Sequence, residues 1–357
     1  MYKDVPVSEL DAETLDAALE AGYFPTGGGI KISSYEIFRP GELYPSVELR
    51  SPLDHGMFSR SKRKLLRRNG QIFSHEIVEP FRSDAEVDRL WKDFTMSRHG
   101  WLNPLGLEYH LFHELDPDRF PGKLLKVWHG QKLVAFSVFF QGKRGMTSLE
   151  AAFDLKYHKY SLGFYTMLLE LKYGLERGLK YYYPGSLFKD LPIFQYKLRL
   201  PALECYDILQ KKWIPFSIYN AAPWPFETMC SKLNELNEKI ENQTKIAPVR
   251  NQNCFMWFFE SPSSVVLSHG FTETDATIVN VSPEENPLPL WVRASVIFSK
   301  NREAGIVCFF HPLIEGFVMV QYDSALAKMH TCSPQVEKAA DFLLSLMEDL
   351  RTEKPSI

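Results

Sequence analysis

Residues 124–197 read LLKVWHGQKLVAFSVFFQGKRGMTSLEAAFDLKYHKYSLGFYTMLLELKYGLERGLKYYYPGSLFKDLPIFQYK. Three short apolar runs are cut by turn residues, a helical run follows, and a last apolar run closes the stretch. Leu124 to Trp128 is a predicted strand, His129-Gly130-Gln131-Lys132 a turn, and Leu133 to Phe140 a second strand. Gly142 to Gly145 turns again into a third strand, Met146 to Phe153. Leu162, Tyr165, Leu169 and Tyr173 share one helical face, which predicts a helix over Leu162 to Arg177, opened by Tyr160-Ser161-Leu162-Gly163. Gly178 closes it, and Lys180 to Tyr183 is a fourth strand. Antiparallel hairpins that feed a β-α-β crossover predict an α/β (α+β) fold.

Upstream, Leu15, Ala18 and Leu19 predict a helix over Asp11 to Ala21, stopped by Gly22. Gly27-Gly28-Gly29 is a turn, but no Walker-type lysine follows it, so a P-loop is excluded. Ile30 to Ile37, Val47 to Arg50 and Phe73 to Val78 are expected strands. Ser83-Asp84-Ala85-Glu86 resembles a capping box and starts a helix to about Arg98, ended by Trp101-Leu102-Asn103-Pro104. Downstream, Glu227 to Gln243 is a polar helix, Phe255 to Val320 is strand-rich, and Ser333 to Glu353 is a terminal helix. The expected organisation is an N-terminal region at 1–75, a central domain at 76–215, a connector at 216–254 and a C-terminal β-rich module at 255–357.

The 357 residues are 45% hydrophobic and 14% aromatic, enough for a sizeable β-rich core. A net charge of −3 excludes a globally basic nucleic-acid binder. The charge is uneven, however. From Arg250 onward 8 Lys and Arg stand against 13 Asp and Glu, which leaves the front part mildly basic and suited to a local anion site. Cys205, Cys230, Cys254, Cys308 and Cys332 form no C-x-x-C pair, so neither a disulfide framework nor a zinc knuckle is expected. His269, His311 and His330 are too widely spaced to argue for a metal. No signal peptide and no membrane-length apolar run is apparent, which points to a cytoplasmic protein without a membrane partner.

Two segments carry chemistry. Ser59-Arg60-Ser61-Lys62-Arg63-Lys64-Leu65-Leu66-Arg67-Arg68-Asn69 holds six basic residues, of which 60, 63, 64, 67 and 68 fall on or beside one helical face. Leu65 and Leu66 lie elsewhere and can pin that helix to the body. Such a face neutralises phosphates, and an arginine fork matches phosphate oxygens. A solvated charged helix is the plainer reading of the same residues. At Tyr160-Ser161-Leu162-Gly163, free helix N–H groups favour an anion or a developing oxyanion, and Gly163 admits a ligand close to the backbone. An ordinary capping serine beside a packed glycine is the alternative there.

The central order of strands and helix resembles the GNAT acyltransferase fold. Four ordered segments, together covering about residues 15–213, resemble the arginyl-tRNA–protein transferase family, including its bacterial leucyltransferase branch. They are Ala17 to Gly28 with Gly22-Tyr23-Phe24; Phe58 to Asn69; Phe153-Asp154 with Ser161-Leu162-Gly163-Phe164-Tyr165; and Gly178 to Gly185 with Tyr196-Lys197. The resemblance implies transfer of Arg or Leu from an aminoacyl-tRNA to the α-amine of an acceptor protein N-terminus, acidic in character; the family's usual metal or iron–sulfur site rests on N-terminal cysteines that are absent here, so no cofactor and no metal are expected. It implies that Lys62, Arg63, Lys64, Arg67 and Arg68 hold tRNA phosphates. Ser161 and Gly163 would cradle the tRNA 3′ end or the acyl group, Tyr196 and Lys197 would contact the tRNA end or the acceptor, and Asp154 would orient the amine. Tyr165 and Gly185 complete the implied substrate site. Thr26 to Arg50 lacks the family's cysteine cluster, and Leu155, Ser186, Leu187 and Leu191 depart from its motifs. An acyl-CoA-dependent N-acyltransferase and a non-catalytic binder of tRNA or of N-termini are the other two readings. The single glycine of Tyr157 to Gly163 argues against the first.

Overall fold

Leu133 to Phe140 is apolar at every position but Ser137, the pattern of a strand covered on both faces. The structure, a computed structural model, describes residues 2–3, 10–26, 29–39, 42–54, 56, 58–100, 106–112 and 122–244, and strands and one helix between 255 and 352. The turn at 27–28, the helix end at 101–104, Cys254 and His269 lie outside the described residues. The chain divides into two units, one built from Lys3–Arg39 and Ser46–Ala221 and the other mainly from Ala222–Ile357.

Up to Ala221 the described elements are β1 (Tyr2–Lys3), α1 (Ala12–Glu20), β2 (Phe24–Thr26), β3 (Gly29–Lys31), β4 (Tyr35–Arg39), β5 (Glu42–Pro52), α2 (Arg60–Gly70), β6 (Ser74–Val78), α3 (Ala85–His99), α4 (Gly106–Phe112), β7 (Gly122–His129), β8 (Lys132–Gln141), β9 (Gly145–Phe153), α5 (Leu162–Glu176), β10 (Tyr181–Phe188), β11 (Glu204–Asp207), β12 (Lys212–Pro215) and α6 (Phe216–Tyr219). Short 3-10 segments occupy Leu155–Tyr160 and Pro192–Arg199. Strand order in the main sheet is β12-β11-β5-β10-β9-β8-β7-β6, with β4 also paired to β5. The expected mixed α/β architecture is therefore present. The expected single strand at Ile30 to Ile37 is instead two, β3 and β4, because the Ser33 hydroxyl bonds the backbone of Tyr35 and turns the chain between them.

Both faces of the sheet are covered. Leu125, Val127, Val134, Phe139 and Met146 pack with Leu168 and Leu171 of α5. Their neighbours Leu124, Phe136, Val138 and Phe140 pack instead with Leu15 and Leu19 of α1, Trp91 of α3 and Phe112 of α4. The period of two along each strand sends alternate residues to opposite cores. Local signals set the helix ends. The Asp11 side chain accepts from the N–H groups of Glu13 and Thr14 at α1, and Asp84 accepts from Glu86 and Val87 at α3. Gly178, at φ +67°, follows α5, where the Leu179 N–H reaches back to the Gly174 carbonyl.

The decisive irregularity lies between β9 and β10. These strands run parallel and are joined by α5, but they pair only at Tyr181↔Gly145, Tyr182↔Met146 and Tyr183↔Thr147. Beyond Thr147, β9 stays with β8, while β10 shifts register between Tyr182 and Gly185 and follows β5 as far as Phe188↔Ser46. Pro184 has no N–H to give a ladder, and Gly185 adopts φ +77°. The two strands therefore part and leave a cleft.

In the second unit, α7 (Pro225–Thr244) buries Met229, Leu233, Leu236 and Ile240, a single helical stripe. An eight-stranded sheet follows between Phe255 and Cys332, ending in the antiparallel run Ser295–Lys300, Ala304–His311, Gly316–Asp323 and Leu326–Cys332. A last helix, Val336–Thr352, closes the unit. Among the described residues no helix is long and apolar enough to cross a membrane, and no group of His, Cys, Asp and Glu is arranged to hold a metal ion.

Candidate functional site

The parting of β9 and β10 opens a cavity of about 360 Å³, walled by Ser148 to Ala151 of β9, Pro184 of β10, the start of α5 and the Pro192–Arg199 turn. Ser161, Gly163, Tyr196 and Lys197, all expected site residues, line it. Four residues without a sequence signal line it too: Glu150, Arg98, Arg199 and Phe194.

Ser161 adopts φ 54°, ψ 48°, a left-handed break between the 3-10 turn and α5, and its side chain caps no N–H. The first-turn N–H groups of α5 are thus open to a ligand at the cleft wall. Gly163 stands beside the Phe153 ring, which a methyl group there would meet at 3.4 Å.

Lys197 is buried, and its Nζ donates to the Ser186 carbonyl at 2.7 Å. Burial pulls its pKa down to about 8, although Glu48 and Glu150 favour the charged form. Glu48 is itself buried and accepts from the Ser186 hydroxyl at 2.7 Å; desolvation pushes it up to about 7. Glu150, on the cleft wall, is also pushed up to about 7 by desolvation, against the pull of Lys197. The lysine is therefore flanked by two carboxylates, so both signs of charge meet at the cleft floor. Gly185 allows this approach, since a methyl group there would sit 3.6 Å from Lys197 Nζ and 3.2 Å from the Phe24 ring.

The basic helix connects to this floor. Asn69 of α2 is buried and donates to the Tyr160 carbonyl at 2.8 Å, tying α2 to the turn before α5. Arg63, Lys64, Arg67 and Arg68 are exposed. Arg63 turns a guanidinium N–H to the Phe58 carbonyl at 2.6 Å, and Arg68 lies 5.9 Å over the Tyr160 ring. Lys62 points inward: it is buried, and desolvation together with the charge of Arg199 lowers its pKa. Arg199 in turn lies 3.7 Å over the Phe164 ring at the cleft wall. Positive charge thus runs from α2 through Lys62 and Arg199 into the cleft.

Asp154 and Tyr165 are not brought into the cleft. Asp154 accepts from Lys132 Nζ at 2.6 Å and from the Lys156 N–H at 2.9 Å; burial raises its pKa, but these bonds outweigh burial and hold it below the usual range. Tyr165 is buried against Phe73, on the α2 side of α5. Both support the backbone that presents Ser161.

Residues 85–207, which contain the cleft's β9, α5 and β10, match the family model described as Arginine-tRNA-protein transferase, C terminus. Over this segment the chain is similar to the arginyl-tRNA–protein transferases. It is 25% identical over 185 residues to an aspartate/glutamate leucyltransferase of Ruegeria pomeroyi, covering 50% of this chain and 66% of that protein. It is 30% identical over 134 residues to arginyl-tRNA–protein transferase 1 of Saccharomyces cerevisiae, covering 35% of this chain and 25% of that one. The chain thus spans just under two thirds of the bacterial relative and a quarter of the yeast one. Among solved structures it is similar to the crystal structure of FemX, with a TM-score of 0.34 and 14% identity over 61% of this chain and 72% of that one.

Proposed function

We propose that the protein transfers an amino acid, Arg or Leu, from an aminoacyl-tRNA to the free α-amine of a protein N-terminus. The core at 76–215 is read as GNAT-like, with 1–75 contributing the basic helix, 216–254 a connector and 255–357 a module without an assigned role. An aminoacyl-tRNA donor is at home in the cytoplasm. The observation that carries the reading is the continuous basic path from α2 through Lys62 and Arg199 to a cleft that holds both a lysine and a carboxylate. The cleft, though not α2, lies within the matched segment, which supports it.

Arg63, Lys64, Arg67 and Arg68, with Lys62 behind them, receive the tRNA phosphates. The CCA end enters along Arg199. The first-turn N–H groups of α5 that follow Ser161, that of Gly163 among them, face the ester carbonyl and stabilise the oxyanion that forms there. Tyr196 shapes the wall, Gly185 leaves room for Lys197 behind it, and Tyr165 and Asp154 hold α5 and its preceding turn in place. Glu150 attracts the acceptor ammonium. The neutral amine attacks the ester carbonyl, and the carbon–oxygen bond to the ribose breaks. Lys197, near pKa 8, protonates the departing ribose oxygen and takes back the proton shed by the new amide nitrogen. Much of the acceleration comes from holding amine and ester together.

The test is transfer of radiolabelled Arg or Leu, from separately charged tRNA, to peptides beginning with Asp, Glu or Ala. Label on the acidic peptides supports the reading. Tight tRNA binding without transfer from either donor replaces it with a non-catalytic binder, and binding of CoA in place of tRNA replaces it with an acyl-CoA-dependent enzyme.

A further inference from the structure

Behind the cleft wall lies an acid that the reaction as written does not use. Glu170 of α5 is 1% exposed. Its Oε2 accepts from the Tyr182 hydroxyl at 2.6 Å, and its Oε1 accepts from the Ser148 hydroxyl at 3.3 Å. Ser148 lines the cleft. The groups that face this carboxylate are Tyr182 from β10, Ser148 from β9, Ser137 from β8 and the phenol of Tyr196 from the turn after β10. They are hydroxyls, with no lysine or arginine among them. Burial raises the carboxyl's proton affinity to about pKa 7, against the pull of the hydroxyl hydrogen bonds and with no counter-charge to offset it.

Glu150 is different in kind. It stands on the open cleft wall within the field of Lys197, with His110 Nε2 at 4.0 Å. That suits it to hold a cationic group. Glu170 is reached from the cleft only through a hydroxyl, which suits it to take a proton and keep it out of water.

We propose that Ser148 and Glu170 form a relay that removes the proton from the acceptor's α-ammonium group before attack. The proposal rests on the transferase reading of the cleft. The N–H bond of the ammonium breaks and leaves its electron pair on nitrogen. Its proton passes to Ser148 Oγ, and the proton already on Ser148 Oγ passes to Glu170 Oε1. Glu170 ends neutral, Ser148 is unchanged, and the amine is free to attack. Protonated Glu170 returns its proton to solvent along the same path after the product leaves. Glu170 acts through Ser148 and is a positioning residue by geometry; Ser148 is the group that touches the amine.

The experiment is kcat and KM against pH, for the acceptor peptide at saturating charged tRNA, with the wild type, Glu170→Gln, Ser148→Ala, the double variant and Glu150→Gln. Far-ultraviolet circular dichroism and tRNA affinity serve as controls on folding. The expected result is a fall in kcat of about 10²-fold for Glu170→Gln, with loss of the acidic limb near pH 7 and little change in KM. Ser148→Ala gives the same phenotype, and the double variant is no slower than Glu170→Gln, as members of one relay are not additive. Glu150→Gln raises KM instead. A Glu170→Gln profile that superimposes on the wild type, or single effects that multiply in the double variant, overturns the relay while leaving the transferase reading intact. Should Glu170→Gln misfold, Ser148→Ala alone decides, since a wild-type profile there also overturns the relay. A wild type that transfers nothing at any pH overturns the transferase reading and the relay together.

Discussion

Glu170→Gln should make the protein more stable, and more so as pH rises. The carboxyl is buried on α5 and is bonded only by hydroxyls, so its pKa rises from an ordinary 4.5 to about 7 in the folded state. A raised acid pKa means that the folded state binds the proton more tightly than the unfolded one. Its favourable contribution is complete below the unfolded pKa and is lost as pH climbs through about 7. Neutral glutamine, which keeps an acceptor for Tyr182, escapes that loss. At about 1.36 kcal/mol per pKa unit, the gain over wild type is about 1 kcal/mol at pH 5 and about 3 kcal/mol at pH 8. Urea unfolding at both pH values, followed by tryptophan fluorescence, measures it. An equal gain at pH 5 and pH 8, or a loss at pH 8, would refute the account of Glu170 as a strained buried acid.

Lys64→Ala with Arg67→Ala removes two exposed charges of α2 and should lower the salt slope of tRNA binding by about 2, measured by filter binding across a salt series. Gly185→Ala places a methyl group at φ +77° against Phe24 and beside Lys197, and should cost about 1–2 kcal/mol in a denaturant melt. Lys197→Met should slow transfer by about 10²-fold while leaving tRNA affinity unchanged, which separates proton donation from phosphate contact. Asp154→Ala loses a turn cap and a bond to Lys132, so stability should fall by about 1 kcal/mol while transfer falls less than in Lys197→Met.

Much of the central architecture was legible in local sequence. The predicted helix at Leu162 to Arg177 is found at Leu162–Glu176, and the predicted strand at Met146 to Phe153 at Gly145–Phe153. Turn glycines and apolar runs carry those boundaries because they act within a few residues. The basic helix was equally plain, and Leu65 and Leu66 do pack toward the core as its pinning face. Tyr165 was less legible. Its helical spacing marks a buried face but not which of two cores receives it, and it lies with Phe73 rather than in the cleft. Lys62 shows the same gap, since within a basic run nothing local says that one lysine turns inward toward Arg199.

By itself, the sequence determined what depends on near neighbours: the strands, the helices, their caps, the charge of α2, and the family resemblance carried by ordered motifs. Only the tertiary structure decided where β9 and β10 part, because that depends on Pro184 and Gly185 meeting a pairing choice between β9 and β5. The same holds for the cleft chemistry. Glu48, Arg98, Glu150, Glu170 and Arg199 are scattered along the chain, and nothing in its own segment marks any of them; of the charged cleft groups only Lys197 was marked, by a motif. Their proton affinities and mutual fields follow from desolvation and distance, and both exist only once the sheet has closed around them.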